Sequence, residues 1–323
     1  SSKSIHKFSV VSIYCIMKKK CMFVGIFLFL LYILSAPAQA VRAAADGLSL
    51  WYERVLPALL PFAILSNILI CSNCAILCAR RLVKPLRFLF PASESGIFVL
   101  CTGFLFGFPM GSKNCASLLA SKDMSFEEAN ALFCITNNIS PVFINSYILT
   151  QELRCPELFV PSLILLYGPP LLLGRFLLRR KTAAPAAKKA ASRSQMNFKI
   201  IDASIMNGFE ALVKIGGYIM LFSIVITLIC SLPLPWLCKL LLVNLTEITN
   251  GIHLLAASTL PFSVKYVLAM VFTAFGGLCG IAQTSSMIKG TSLSIRHYLC
   301  IRVLLAFCSG VLALLAIRLF LPL

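Results

Sequence analysis

The chain has 323 residues, of which 59% are hydrophobic and 12% charged, and its mean hydropathy is +0.92. Soluble domains carry about 45–50% apolar and about 25% charged residues, so this composition excludes a soluble enzyme and a disordered chain alike. The formal charge of +18 falls in short basic stretches between apolar runs, which is the pattern of the positive-inside rule and not of a nucleic-acid surface.

The apolar runs predict an all-α polytopic membrane protein lying in a lipid bilayer. A span needs about 20 apolar residues, and Cys21–Val41, Leu50–Cys71, Glu127–Leu149, Glu157–Leu178, Ile205–Cys230 and Ser294–Leu321 qualify. Met17, Lys18–Lys20 and the run Cys21–Leu34, followed by Ala38-Gln39-Ala40, have the layout of a signal peptide. The next segment continues the same architecture, which favours an uncleaved first transmembrane helix. Basic residues follow at Arg80, Arg81, Lys84 and Arg87, and again from Arg179 to Lys199. The expected organisation is an N-terminal segment (1–46), a first repeat (47–178), a basic cytosolic linker (179–201) and a second repeat (202–323).

Two stretches, Gly96–Ser121 and Ser263–Lys289, are too rich in glycine and polar residues to face lipid. In the first, Gly107, Pro109, Gly111, Ser112, Lys113 and Asn114 predict a re-entrant hairpin. Its tip would offer backbone N–H groups, with Lys113 adding a full positive charge. Laid over the second stretch, Gly107 meets Gly276, Gly111 meets Gly280 and Asn114 meets Gln283. This overlay predicts two repeats, each with a hairpin and a neighbouring long or broken helix. If Pro235–Ala257 lies along the interface, the two repeats have inverted topology, as in many secondary transporters. If it crosses, the inversion fails.

Within Glu127–Leu149, the run Thr136-Asn137-Asn138-Ile139-Ser140-Pro141 predicts a helix broken near mid-membrane, exposing amides and hydroxyls to a substrate. Glu247 and Asn250, with Gly276, Gly277, Gly280, Gln283 and Ser285, form the expected counterpart. Glu247 could bind a coupling cation, pair with a lysine, or sit in interfacial water. Arg302 lies about two turns into the last helix, where a charge costs about 2.5–3.5 kcal/mol to insert. It either snorkels outward with Arg296 and His297 or turns its planar fork to a cavity, where it suits a carboxylate.

Enzymatic and metal readings find little support. His6, His253 and His297 form no H-E-x-x-H pattern, and neither a G-x-S-x-G elbow nor a phosphate-binding lysine loop is present. Cys71, Cys74 and Cys78 lack a second ligand pair, and most other cysteines stand singly in apolar runs. No catalytic residue, cofactor or metal is expected.

Several motifs carry a resemblance. Gly47-Leu48-x-Leu50-Trp51 with Leu56-Pro57-x-Leu59-Leu60-Pro61-Phe62 resembles the opening of the sporulation integral membrane protein YlbJ family. Residues 107–113, 136–141 and 247–251, Gly276-Gly277 with Gln283, and Arg302 follow in the family's order over roughly residues 45–320. The resemblance implies a nucleoside-recognition, or Gate, domain like the core of concentrative nucleoside transporters. It further implies movement of dipicolinate, a flat pyridine dicarboxylate, into the developing spore across the outer forespore membrane. On that implication Arg302 and Lys113 meet the two carboxylates, and Asn137, Asn138, Ser140 and Gln283 meet the polar edges. Two alternatives stand beside it. One is a nucleoside-type carrier with Glu247 as coupling acid; the other is a non-transporting sporulation scaffold or sensor. A homo-oligomer is compatible with each.

Overall fold

The computed structural model describes residues 20, 23–72, 86, 88–179 and 197–320. Lys18, Lys19, the basic residues 80, 81, 84 and 87, Cys74 and Cys78, and residues 180–196 of the expected linker lie outside the described residues. Those described form helices and turns, with no strand among them.

Helix α1 (Phe23–Ser35) and the next helix meet at a 105° bend. The predicted single span Cys21–Val41 is therefore two arms. Pro37 is the reason: it has no N–H to continue the first helix and stands instead at the start of α2 (Pro37–Leu50). A π-helical turn (Trp51–Val55) leads from α2 into α3 (Leu56–Cys71), so Leu50–Cys71 is not the plain span expected.

Helices α4 (Glu94–Phe106) and α5 (Met110–Ala120) form the first hairpin. Gly107, at φ +76°, reverses the chain, and Asn114 Nδ2 on one arm donates to Thr102 Oγ1 on the other at 2.9 Å. Ser125 caps α6 (Phe126–Ile135). After a non-helical stretch, Ser140 caps α7 (Pro141–Phe143), which continues as a π-helical segment, Ile144–Glu152. The predicted break is there. Helix α8 (Phe159–Arg179) completes this half.

The second half opens with the 34-residue α9 (Phe198–Ser231), which runs antiparallel along α2 and α3. Gly47 faces Ser223, Trp51 Nε1 donates to the Leu212 carbonyl at 2.8 Å, and Asn67 Nδ2 to the Ser204 carbonyl at 3.3 Å. Helices α10 (Trp236–Thr246) and α11 (Ile248–Ala256) follow, then α12 (Phe262–Phe275), α13 (Gly277–Met287) and α14 (Ile295–Phe320).

The second half revises the expected correspondence. A Cβ added at Gly251 would stand 2.5 Å from Asn244 Cα, whereas residues seven apart in a straight helix are separated by about 10 Å along the axis. The chain therefore doubles back at Glu247, and α10–α11 is a hairpin, not a segment lying along the interface. By contrast, Phe262–Met287 is one membrane-length stretch interrupted at Gly276. The overlay of Gly107 on Gly276 thus equated a hairpin tip with a helix break. In both halves the order is hairpin, broken helix, long helix.

Among the described residues, four helices are long and apolar enough to cross a membrane: Pro156–Arg179, Phe198–Ser231, Phe262–Met287 and Ile295–Arg318. The bent pair α1–α2 makes a fifth if counted as one span. Their outward faces are apolar, with Val160, Ile164, Leu172 and Phe176 exposed on α8 and Val303, Phe307, Val311 and Leu314 on α14. Their inward faces carry the polar groups, the inverse of a soluble bundle. The chain is a multi-pass integral membrane protein.

Candidate functional site

The first hairpin packs its glycine edge onto the break in its own half. A Cβ at Gly103 would stand 2.6 Å from Thr136 Cβ, one at Gly111 2.6 Å from the Thr136 carbonyl oxygen, and one at Gly107 2.6 Å from Ser140 N. Glycines four residues apart bring two backbones to a distance no other residue allows. At this distance the polar run is largely self-satisfied. Phe108 N donates to the Asn138 carbonyl at 2.7 Å and Ser112 N to Asn137 Oδ1 at 2.8 Å. Thr136 Oγ1, Asn137 Nδ2 and Asn138 Nδ2 turn back to the carbonyls of Leu132, Phe133 and Ile135. Ser140 Oγ accepts from Phe143 N, and the Pro109 carbonyl accepts from Ser112 Oγ. Two of the tip amides expected to face a ligand are therefore spent on the protein.

The second hairpin tip is capped by its own carboxylate. Glu247 accepts from Thr249 N on Oε1 at 2.8 Å, and from Asn250 N and Asn250 Nδ2 on Oε2 at 2.9 and 2.8 Å. An anion at a helix N-terminus meets the positive end of the helix dipole. This cap is the role Glu247 holds here, in place of a lysine pair. The tip rests against the second break, where Gly277, at φ +70°, faces the backbone of 246–248.

Arg302 joins the two breaks. Its side chain is 1% exposed, so it does not snorkel. Nη1 donates to Asn138 Oδ1 at 2.9 Å and Nε to the Phe275 carbonyl at 3.3 Å. Its guanidinium also lies 5.9 Å from the centre of the Tyr298 ring. The Phe275 carbonyl ends α12, where a cation is favoured by the dipole. Both direct acceptors are neutral, and among the described residues no carboxylate pairs with Arg302. Lys214 pairs with Glu210, and His253 Nδ1 meets Glu152 Oε2. Beside Arg302 lies a small void lined also by Asn138, Ile139, Ile144, Leu166, Tyr167, Thr273 and Ala274.

The other expected residues divide. Gly276 faces Arg302 Nη2, and Gly280 touches the Phe108 ring at the first hairpin tip, so the halves meet there. Gln283 is buried but turns to Cys279 Sγ, and Asn114 serves its own hairpin. Ser285 is exposed, outside the cluster. Lys113 is separated from Arg302: its ammonium donates to the Asn207 carbonyl of α9 at 3.3 Å.

Two residues of the site were not expected. Tyr167 OH bonds the Ile139 carbonyl at 2.7 Å and lies 3.2 Å from that of Phe104, bridging hairpin and break. Thr273 is buried, and its Oγ1 has no partner among the described residues. The available signal was a polar residue in the otherwise apolar run 267–275, just before a glycine pair.

The chain is 26% identical to the sporulation integral membrane protein YlbJ of Bacillus subtilis strain 168, over 86% of this chain and 78% of that protein. That similarity supports the YlbJ family. No family model and no solved structure matches the chain. The YlbJ-like motifs occupy distinct places in the fold. Gly47 and Trp51 form the α2–α9 contact, residues 107–113 the first hairpin tip, 136–141 the first break, 247–251 the second tip, and Gly276-Gly277 the second break. Arg302 touches both breaks.

Proposed function

We propose that this protein carries a small organic dianion, dipicolinate, across the outer forespore membrane of a sporulating bacterium by alternating access. YlbJ is by name a sporulation integral membrane protein, which supports the setting. The observation that carries the chemistry is Arg302: a buried guanidinium held by two neutral acceptors, one from each half. Planar guanidinium and planar carboxylate match in two parallel hydrogen bonds. Asn138 Oδ1 holds the place a carboxylate oxygen would take. The void is too small for a pyridine ring, so substrate entry requires the breaks to part. A neutral nucleoside would leave the cation uncompensated.

The test is thermal unfolding of the purified full-length protein with millimolar dipicolinate, uridine as control. Ligand that binds only the folded state raises the unfolding temperature according to its concentration over its dissociation constant. Stabilisation by dipicolinate alone, absent in folded Arg302→Ala, is the expected result. Stabilisation by uridine alone establishes the nucleoside carrier instead, and no response to either ligand favours a scaffold.

A further inference from the structure

We propose that the void between Arg302, Asn138 and Thr273 is a site for one monatomic anion, chloride in the cell, which neutralises Arg302 while no organic anion is bound. The proposal rests on the reading of Arg302 as an anion-binding group and adds what occupies it at rest. Three observations carry it. First, the cation is 1% exposed and, among the described residues, has no acid partner. A buried charge without a counter-charge is among the costliest arrangements a protein can hold. The dipole of α12 ending at Phe275 supplies the equivalent of only about half a charge.

Second, the void offers uncommitted donors beside the positive charge. A guanidinium has five N–H groups; two are given to Asn138 Oδ1 and the Phe275 carbonyl, which leaves three. Thr273 lines the same void, is 1% exposed, and its hydroxyl has no partner among the described residues. Tyr167 OH is already directed at the Ile139 carbonyl. A water placed here could hydrogen-bond these groups but would leave the charge in place, whereas a halide accepts from them and neutralises it. Third, the space is small, on the scale of one compact ion and not of an organic acid. The remaining lining, Ile139, Ile144, Leu166 and Ala274, is apolar, which favours a weakly hydrated ion.

The experiment is thermal unfolding of the purified full-length protein in sodium salts at matched ionic strength: chloride, bromide, gluconate and sulfate. Chloride and bromide are expected to raise the unfolding temperature saturably, and gluconate and sulfate are not. Thr273→Val keeps the shape and removes the hydroxyl. It should leave stability in gluconate near wild type and weaken the halide response about tenfold, the loss of one hydrogen bond to a charged group. Arg302→Met would remove the cation that ties the two breaks together, so occupancy is read instead by chloride-35 line broadening in wild type and Thr273→Val. Equal unfolding temperatures in chloride and gluconate overturn the site, and so does a halide response undiminished in Thr273→Val. The halide pattern supports the site whether or not dipicolinate binds. Dipicolinate stabilisation with no halide effect overturns the site and leaves the carrier standing.

Discussion

Arg302 and Asn138 form a pair in which a neutral amide oxygen occupies one arm of a cationic fork, 2.9 Å away and sealed from water. Replacing that oxygen by a charged one distinguishes a ligand site from a structural tie. Asn138→Asp places a carboxylate on Nη1, a charge-assisted bond worth about 1.5–3 kcal/mol. The variant should unfold at a higher temperature and lose dipicolinate binding at least tenfold, because the fork is already taken. Thermal unfolding with and without ligand checks both, and undiminished binding in the Asp variant removes Arg302 from the site. Arg302→Lys tests the same point from the other side. An ammonium is a compact charge without the planar fork, so it cannot reach Phe275, Asn138 and a carboxylate from fixed directions. Binding should fall at least tenfold while charge is kept.

The helical elements are held at their turns, and the two hairpins solve that problem differently. The first turns on Gly107, whose φ of +76° and whose 2.6 Å clearance to Ser140 N for any added Cβ leave no room for a side chain. Gly107→Ala should cost more than about 3 kcal/mol, strain and clash together. Gly217→Ala, in α9 with nothing within 4 Å of an added Cβ, should be neutral or slightly stabilising. Comparing folded yield and unfolding temperature of the two checks this, and a well-folded Gly107→Ala variant means the tip is looser than described. The second hairpin turns on Glu247 without glycine, and Glu247→Ala should cost about 1–2 kcal/mol as a lost N-cap. If its unfolding temperature matches wild type, the carboxylate is free for another role.

That difference explains what the sequence made legible. Pro141 after four polar residues marks a break by local chemistry alone, because proline and competing side chains disrupt a helix wherever it lies. A hairpin depends on what the chain meets when it returns, and the contact of Asn244 with Gly251 is not written in either residue. Gly276-Gly277 therefore resembles a tip in sequence but is a helix break, and Glu247, open in sequence between cation ligand, lysine partner and interfacial acid, caps the tip. Arg302 was legible because an arginine deep in an apolar helix needs partners. Which partners, and the separation of Lys113 from them, depended on where tertiary packing places each side chain.

At the scale of the whole molecule, the repeated order of hairpin, broken helix and long helix makes the sidedness of the hairpins a matter of counting. A hairpin returns to the face it left. Between the end of the first, at Ala120, and the second, the chain passes through α6–α7, α8 and α9. If each crosses, the number of crossings is odd and the second hairpin enters from the opposite face, the inverted arrangement common to secondary transporters. Single cysteines at Ala120 and Ala257, both exposed at the hairpin ends, test this in a background with the native cysteines replaced. A membrane-impermeant maleimide should label one in intact cells and the other only in inverted vesicles. Labelling of both from the same side means that one of the three segments does not cross. The two tips would then approach Arg302 from one face, and a substrate bound there would have no second exit. Opposite labelling places Arg302 and Asn138 where each half can open to its own side in turn, the geometry that alternating access requires.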